Sequence, residues 1–155
     1  MALGGADNRA RSTHMRWRTS MLKPKAAKSV IIVDDDEAVL SALVFSLGAE
    51  GYSIRPFRNA AAMLDAPGLA KSDCLVIDYN LPDVNGIDLL VHLRAQGMSS
   101  PAIIITSQPP ARMRERAALL GVTIVEKPLL GDQLSGRVRD LIEANKRPSA
   151  SATTV

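Results

Sequence analysis

Four places in this 155-residue sequence put a chemically active side chain at the end of a short apolar run. Asp34–Asp35 follows Ser29–Val30–Ile31–Ile32–Val33, and Asp78 ends Cys74–Leu75–Val76–Ile77. Thr106 ends Ala102–Ile103–Ile104–Ile105, and Lys127 follows Val122–Thr123–Ile124–Val125–Glu126. Three carboxylates brought together repel one another unless a cation joins them. An all-oxygen donor set favours Mg²⁺, which keeps several waters and takes few protein ligands. One cysteine (Cys74) and two scattered histidines (His14, His92) do not make a zinc set. A carboxylate beside the metal and facing an ammonium stays ionised and nucleophilic. Mg²⁺ and Lys127 would neutralise phosphoryl oxygens during transfer, and the Thr106 hydroxyl would donate to another oxygen. Backbone N–H groups just after the third and fourth strands would complete the cradle. The chemistry expected is acceptance of a phosphoryl group by Asp78.

Each residue taken singly has a plainer explanation. Asp36 suits a helix N-cap, and Asp34 and Asp35 suit the acidic first turn of a helix. A lone strand-end aspartate is more often structural than functional, and a lone threonine or lysine says less. Their joint occurrence at the ends of separate strands carries the functional reading. Asp83, Asn85 and Asp88 are read as turn and capping residues, and His92 as a surface histidine.

Those side chains need elements to position them. The apolar runs at 29–33, 74–78, 102–106 and 122–126 are predicted strands, and Tyr52–Phe57 is a weaker one placed near an edge by Pro56. Between them run helical patterns. Leu40, Leu43, Val44 and Leu47 form an i, i+3, i+4, i+7 stripe closed by Gly51. Asn59 caps a short Ala-rich helix to Leu64 that Pro67–Gly68 breaks. Gly86–Gln96 is a helix with Ile87, Leu90, Val91 and Leu93 inward, Pro110–Leu120 is another, and Gly131–Asn145 is the last, with Leu134, Val138, Leu141 and Ile142 inward. Strand–helix units repeating every ~20–25 residues imply a parallel sheet covered on both faces. Right-handed crossovers then favour a flavodoxin-like (βα)₅ fold of strand order 2-1-3-4-5. That order brings the ends of strands 1, 3, 4 and 5 to one crevice.

Charge is uneven along the chain. Residues 1–28 hold seven Lys/Arg against Asp7, and residues 29–155 hold 12 basic and 15 acidic side chains. The net charge of +3 therefore belongs to the N-terminal segment and does not mark a nucleic-acid-binding domain. Residues 1–28 and 146–155 have the composition of disordered ends, with 29–145 as the folded domain. Met21 is a plausible alternative start. No apolar run is long enough to span a membrane, and no apolar signal core opens the chain. Cys74 alone allows no intramolecular disulfide, which fits a reducing cytoplasm. Arg112, Arg114 and Arg116 form a basic patch, read as a solvated face with docking to an acidic partner as the alternative.

Over residues 29–145 the chain resembles response-regulator receiver domains of two-component signalling. The resemblance rests on Asp34–Asp35, on Asp78 with Asn80, Leu81–Pro82 and Gly86, on Thr106–Ser107 and on Lys127–Pro128. It implies that Asp78 is the phosphoacceptor, and that Asp35, Asp78 and the Asn80 carbonyl bind Mg²⁺, with Asp34 assisting through water. It implies further that Thr106 is the switch hydroxyl, that Lys127 and the Ser107 backbone bind the phosphoryl group, and that Lys127–Pro128 is a cis peptide. The implied partner is a sensor histidine kinase or a histidine phosphotransfer protein. Asn80 and Gln108 would orient water and set the lifetime of the aspartyl phosphate.

Two departures stand out. Receivers commonly carry Tyr or Phe three residues before the lysine, whereas Ile124 stands here and Leu129 replaces the usual Phe after Lys–Pro. Ile124 has no ring to swing inward, and Gln108–Pro109–Pro110 is stiff. A modified or smaller change is therefore expected on the face formed by the fourth helix, fifth strand and last helix. The ten residues after Asn145 are too few for a helix-turn-helix, so a receiver without a DNA-binding domain is expected, signalling by protein contact or draining phosphate from a shared kinase. A phosphorylation-independent interaction module is the alternative reading. A phosphatase acting on external substrates is disfavoured, because the haloacid-dehalogenase pattern wants an acid where Asn80 stands.

Overall fold

Every apolar run forms a strand: β1 (Ser29–Val33), β2 (Ser53–Phe57), β3 (Cys74–Asp78), β4 (Ala102–Thr106) and β5 (Thr123–Glu126). This is seen in a computed structural model that describes residues 26–129 and 131–146. Of the ends expected to be disordered (1–28 and 146–155), residues 1–25 and 147–155 lie outside the described residues, as does the alternative start at Met21; Lys28, whose carbonyl accepts from the Ser53 N–H, and Lys146, the last residue of the final helix, belong to the fold instead. The strands make one parallel sheet in the order β2-β1-β3-β4-β5, the flavodoxin-like order expected. Its register sets Val33 beside Ile77, Asp78 beside Ile105 and Thr106 beside Glu126. Four strand ends therefore finish at one edge. Pro56 sits in edge strand β2, which pairs with β1 alone, so its missing N–H breaks no central ladder.

Alternate strand residues point to opposite faces, and both faces are apolar, which is why β1, β3 and β4 read as continuous hydrophobic runs. Ile31, Val33, Leu75, Ile77 and Ile104 pack under α2 (Ala60–Leu64), α3 (Gly86–Ala95) and α4 (Ala111–Leu119). Val30, Ile32, Val76, Ile103 and Ile105 pack against α1 (Glu37–Ala49) and α5 (Gln133–Lys146). Cys74 is fully buried on that second face, a core residue whose thiol burial pushes up to about 12.

The caps are chemical. Asp36 accepts from the N–H groups of Ala38 and Val39 at the start of α1. Asn59 accepts from Ala62 at α2, and Asn85 from Asp88 at α3. Gly51, at φ +94°, turns the chain from α1 into β2.

One further sequence expectation needs correcting, and one element had no expectation. Val91 is 42% exposed, and Leu89 is buried instead. The buried residues Gly86, Ile87, Leu89, Leu90 and Leu93 define the inner arc of α3. Val91 lies about 100° further round the helix from Leu90, on the side away from Leu89. A 3-10 turn at Leu69–Lys71 was not foreseen, since three residues are too short to show a period.

Candidate functional site

Asp34, Asp35 and Asp78 come together at the carboxyl edge of the sheet, each offering an oxygen within 4.8 Å of the others. Asp34 is fully buried just past β1. Its N–H donates to the Phe57 carbonyl at 3.0 Å, and its Oδ1 accepts from the Asp36 N–H at 2.9 Å. Asp35, the next residue, is exposed, because the chain turns outward there toward the Asp36 cap. Asp36, occupied by its own helix, stays out of the cluster. Asp34 and Asp35 precede α1 rather than belonging to its first turn.

Asp78 is 4% exposed at the end of β3, and its Oδ1 accepts from the Asn80 N–H at 3.4 Å. Desolvation raises its pKa to about 6; the charge of Asp34 adds to the rise, and Lys127 opposes it. Lys127 Nζ reaches both buried acids, at 3.1 Å from Asp34 Oδ2 and 3.5 Å from Asp78 Oδ2. Burial pulls the lysine pKa down, but Asp34 and then Asp78 outweigh it and hold the ammonium above the ordinary lysine range. The sequence placed Lys127 against Asp78; the shorter contact is to Asp34.

Thr106 is 1% exposed, and its Oγ1 makes no hydrogen bond. Asp34 Oδ2, equally buried, is met by the Lys127 ammonium at 3.1 Å. A buried hydroxyl without a hydrogen bond is uncommon, and Thr106 Oγ1 at this strand edge has its proton available for a further acceptor. Ser107 and Gln108, just beyond, are exposed. The Lys127 N–H donates to the Thr106 carbonyl at 2.8 Å, and the Lys127–Pro128 peptide is cis. Ile124 is half-buried and packs against the α2–α3–α4 core rather than at the acids.

The loop after Asp78 is held tightly at its base. Asn80 and Asn85 form an antiparallel bridge, and the Gly86 N–H donates to the Tyr79 carbonyl at 2.8 Å. A Cβ on Gly86 would stand 2.5 Å from the Asp78 carbonyl oxygen, so only glycine allows this approach. Asp83 does more than the turn role read from sequence. Its two oxygens accept from the N–H groups of Ala60 (3.2 Å) and Ala61 (2.9 Å), at the start of α2. A contact 22 or 23 residues away leaves no local pattern from which to predict it. The expected basic patch is largely paired within the chain: Arg114 with Glu126 and Arg116 with Asp88, each at 2.6 Å.

The donor set suits a hard divalent cation. Three carboxylates face one ammonium, which leaves two negative charges in the cluster to be balanced. Among the described residues, no helix is long and apolar enough to cross a membrane.

Comparison with known proteins agrees with this arrangement. Residues 30–139 match the model of the response regulator receiver domain. The chain is 34% identical over 128 residues to the transcriptional regulatory protein FixJ of Bradyrhizobium diazoefficiens, covering 81% of this chain and 62% of that protein. It covers 56% of the 29%-identical CreB of Escherichia coli, so it spans little more than half the length of such relatives. Among solved structures, the receiver domain of the Francisella response regulator 1452 superposes with a TM-score of 0.70 at 25% identity, covering 77% of this chain and 99% of that one. The parallel sheet, the acid cluster and the matched segment agree: the chain belongs to the response regulator receiver domains of two-component signalling.

Proposed function

We propose that Asp78 accepts a phosphoryl group from a phosphohistidine on a sensor kinase or phosphotransfer protein, with Mg²⁺ bound by Asp35, Asp78 and the Asn80 carbonyl and assisted by Asp34 through water. The observation that carries this reading is the position of Asp78, buried in a three-carboxylate cluster with the Lys127 ammonium 3.5 Å away. In the transfer an Asp78 oxygen forms the new P–O bond as the P–N bond of the donor breaks. The electron pair of that bond leaves with the imidazole. Lys127 offers its charge to a phosphoryl oxygen, and Thr106 Oγ1, with no partner of its own, donates to another. The Ser107 backbone N–H belongs to the same cradle. Bound Mg²⁺ would neutralise the charge of the acids and of the incoming group. The exposed Asn80 and Gln108 set how readily water attacks the acyl phosphate.

The test is incubation with Mg²⁺ and a small phosphodonor, read by intact mass. A single phosphoryl adduct that is lost in Asp78→Asn supports the proposal. No adduct from any donor, a kinase included, overturns it.

A second reading, an interaction module that works without phosphate, draws on Ile124, which offers no ring at the switch position. Beryllofluoride with Mg²⁺ separates the two. Shifts on α4, β5 and α5 support a working switch, and shifts confined to the acid pocket support the second reading.

A further inference from the structure

The β3–α3 loop carries Asn80, whose carbonyl is one of the proposed cation ligands, yet its anchorage extends well beyond the site. Its base is closed by the Asn80–Asn85 bridge and by the Gly86 N–H on the Tyr79 carbonyl. Its middle is fastened by Asp83, both of whose oxygens accept from consecutive N–H groups, Ala60 and Ala61. Contacts of a carboxylate with backbone N–H groups are charge-assisted and directional. The element they grip, α2, has five residues and no independent stability. Asn59 takes the next donor, the Ala62 N–H. The chain entering α2 is tied back to the acids, since Phe57 at the end of β2 accepts from the Asp34 N–H. Asp83 thus joins the loop bearing Asn80 to a segment whose other end is bonded to Asp34.

We propose that Asp83 is a positioning residue for the cation site, setting where the Asn80 carbonyl stands relative to Asp78 by holding the loop against α2. Asp83 touches neither the cation nor the phosphoryl group. The proposal rests on the reading of Asn80 as a metal ligand and adds that α2 and the site are coupled. Coupling is reciprocal, so cation binding tightens the clasp and slows exchange of the Ala60 and Ala61 amides.

The experiment titrates the full chain with MgCl₂ alone, read by calorimetry and by amide exchange, in the parent protein and in Asp83→Ala, Asp83→Asn and Asn59→Ala. Asp83→Ala is expected to weaken Mg²⁺ binding about tenfold, the low end for residues that support a ligand. Asp83→Asn, which keeps an acceptor oxygen without the charge, falls between it and the parent and serves if the alanine variant fails to fold. Asn59→Ala removes a cap from the same helix without touching the loop. It should loosen α2 and, because α2 and the site are coupled, weaken Mg²⁺ binding by no more than about threefold, since the Asp83 bonds that hold the loop stay in place. A parent-like affinity in both Asp83 variants overturns the proposal, as does an equal loss in Asn59→Ala, which would reduce Asp83 to a helix cap. A parent that binds no Mg²⁺ overturns this proposal and the cation assignment together, whereas a parent that binds beside unchanged Asp83 variants removes this proposal alone.

Discussion

The two ends of the sheet treat buried hydroxyls in opposite ways. At the amino edge, Ser72 and Ser100 precede β3 and β4. Their hydroxyls lie 3.0 Å apart, and that of Ser100 also donates to the Ser72 carbonyl at 2.7 Å. Both residues are buried, and the pair satisfies itself. At the carboxyl edge, the Thr106 side chain is buried as deeply and its hydroxyl makes no hydrogen bond, at the same edge as Asp34 and an Asp78 kept from ionising readily. The first arrangement stabilises the fold. The second leaves a hydroxyl unpaired and like charges close together, at a cost to stability, as functional sites do.

The largest contrast comes from Asp78→Asn. In the folded protein Asp78 titrates near 6, whereas an unfolded aspartate titrates near 3.9. Between those values the native state binds more protons than the unfolded one, so stability contributed here falls as pH rises through about 4 to 6. Removing the charge should therefore stabilise the Mg²⁺-free protein at pH 8 by up to about 3 kcal/mol, with no gain near pH 3. Urea unfolding at the two pH values measures it. A variant less stable than the parent at pH 8 would mean that Lys127 compensates Asp78 fully. The same substitution should abolish phosphorylation.

Next in size is proton competition for the cation. If Asp78 must ionise to join the metal, Mg²⁺ affinity is flat above pH 6 and drops by about tenfold for each pH unit below it. Calorimetric titrations from pH 5 to 8 read this slope, and Asp78→Asn should erase it while binding more weakly throughout. A flat profile in the parent would place the cation away from Asp78.

At the other end, Ser100→Ala strips the Ser72 hydroxyl and carbonyl of a partner in a site closed to water. A loss of about 1–2 kcal/mol is expected, with phosphorylation and Mg²⁺ binding unchanged. An effect on Mg²⁺ affinity would show that the two edges are not independent.

The sequence foretold most of one edge and little of the other. Strand-end acids, a hydroxyl and a lysine are legible because each terminates a continuous apolar run, and parallel topology must then gather them. The caps at Asp36, Asn59 and Asn85 were legible for a similar reason, since they bond within three residues. The Ser72–Ser100 pair spans 28 residues, and Asp83 reaches back 22 or 23 to α2, so neither leaves a local period. Val91 failed differently: periodicity locates an apolar stripe but not the width of the buried arc, which depends on what packs alongside. That Lys127 leans toward Asp34 depends on sub-ångström differences in side-chain reach that no spacing encodes.

The smallest effect should carry the opposite sign to that of Ser100→Ala and so tests the comparison most sharply. Thr106→Val replaces a buried, unbonded hydroxyl with a methyl group of nearly the same shape. Removing a hydroxyl that bonds to nothing forfeits no hydrogen bond and relieves its desolvation, so stability should stay level or rise by up to about 1 kcal/mol. The resting protein would register little else, because the backbone bond from Lys127 to the Thr106 carbonyl is untouched. The phosphorylated protein should register more. Without the donor, beryllofluoride with Mg²⁺ would still bind beside Lys127 but would no longer draw residue 106 toward Asp78, and the amide shifts expected on β4 in the parent would be absent. Thr106→Ser, which keeps the hydroxyl, should restore them. A valine variant destabilised as much as Ser100→Ala would mean that the Thr106 hydroxyl is bonded in solution, and the two edges would then differ in charge alone.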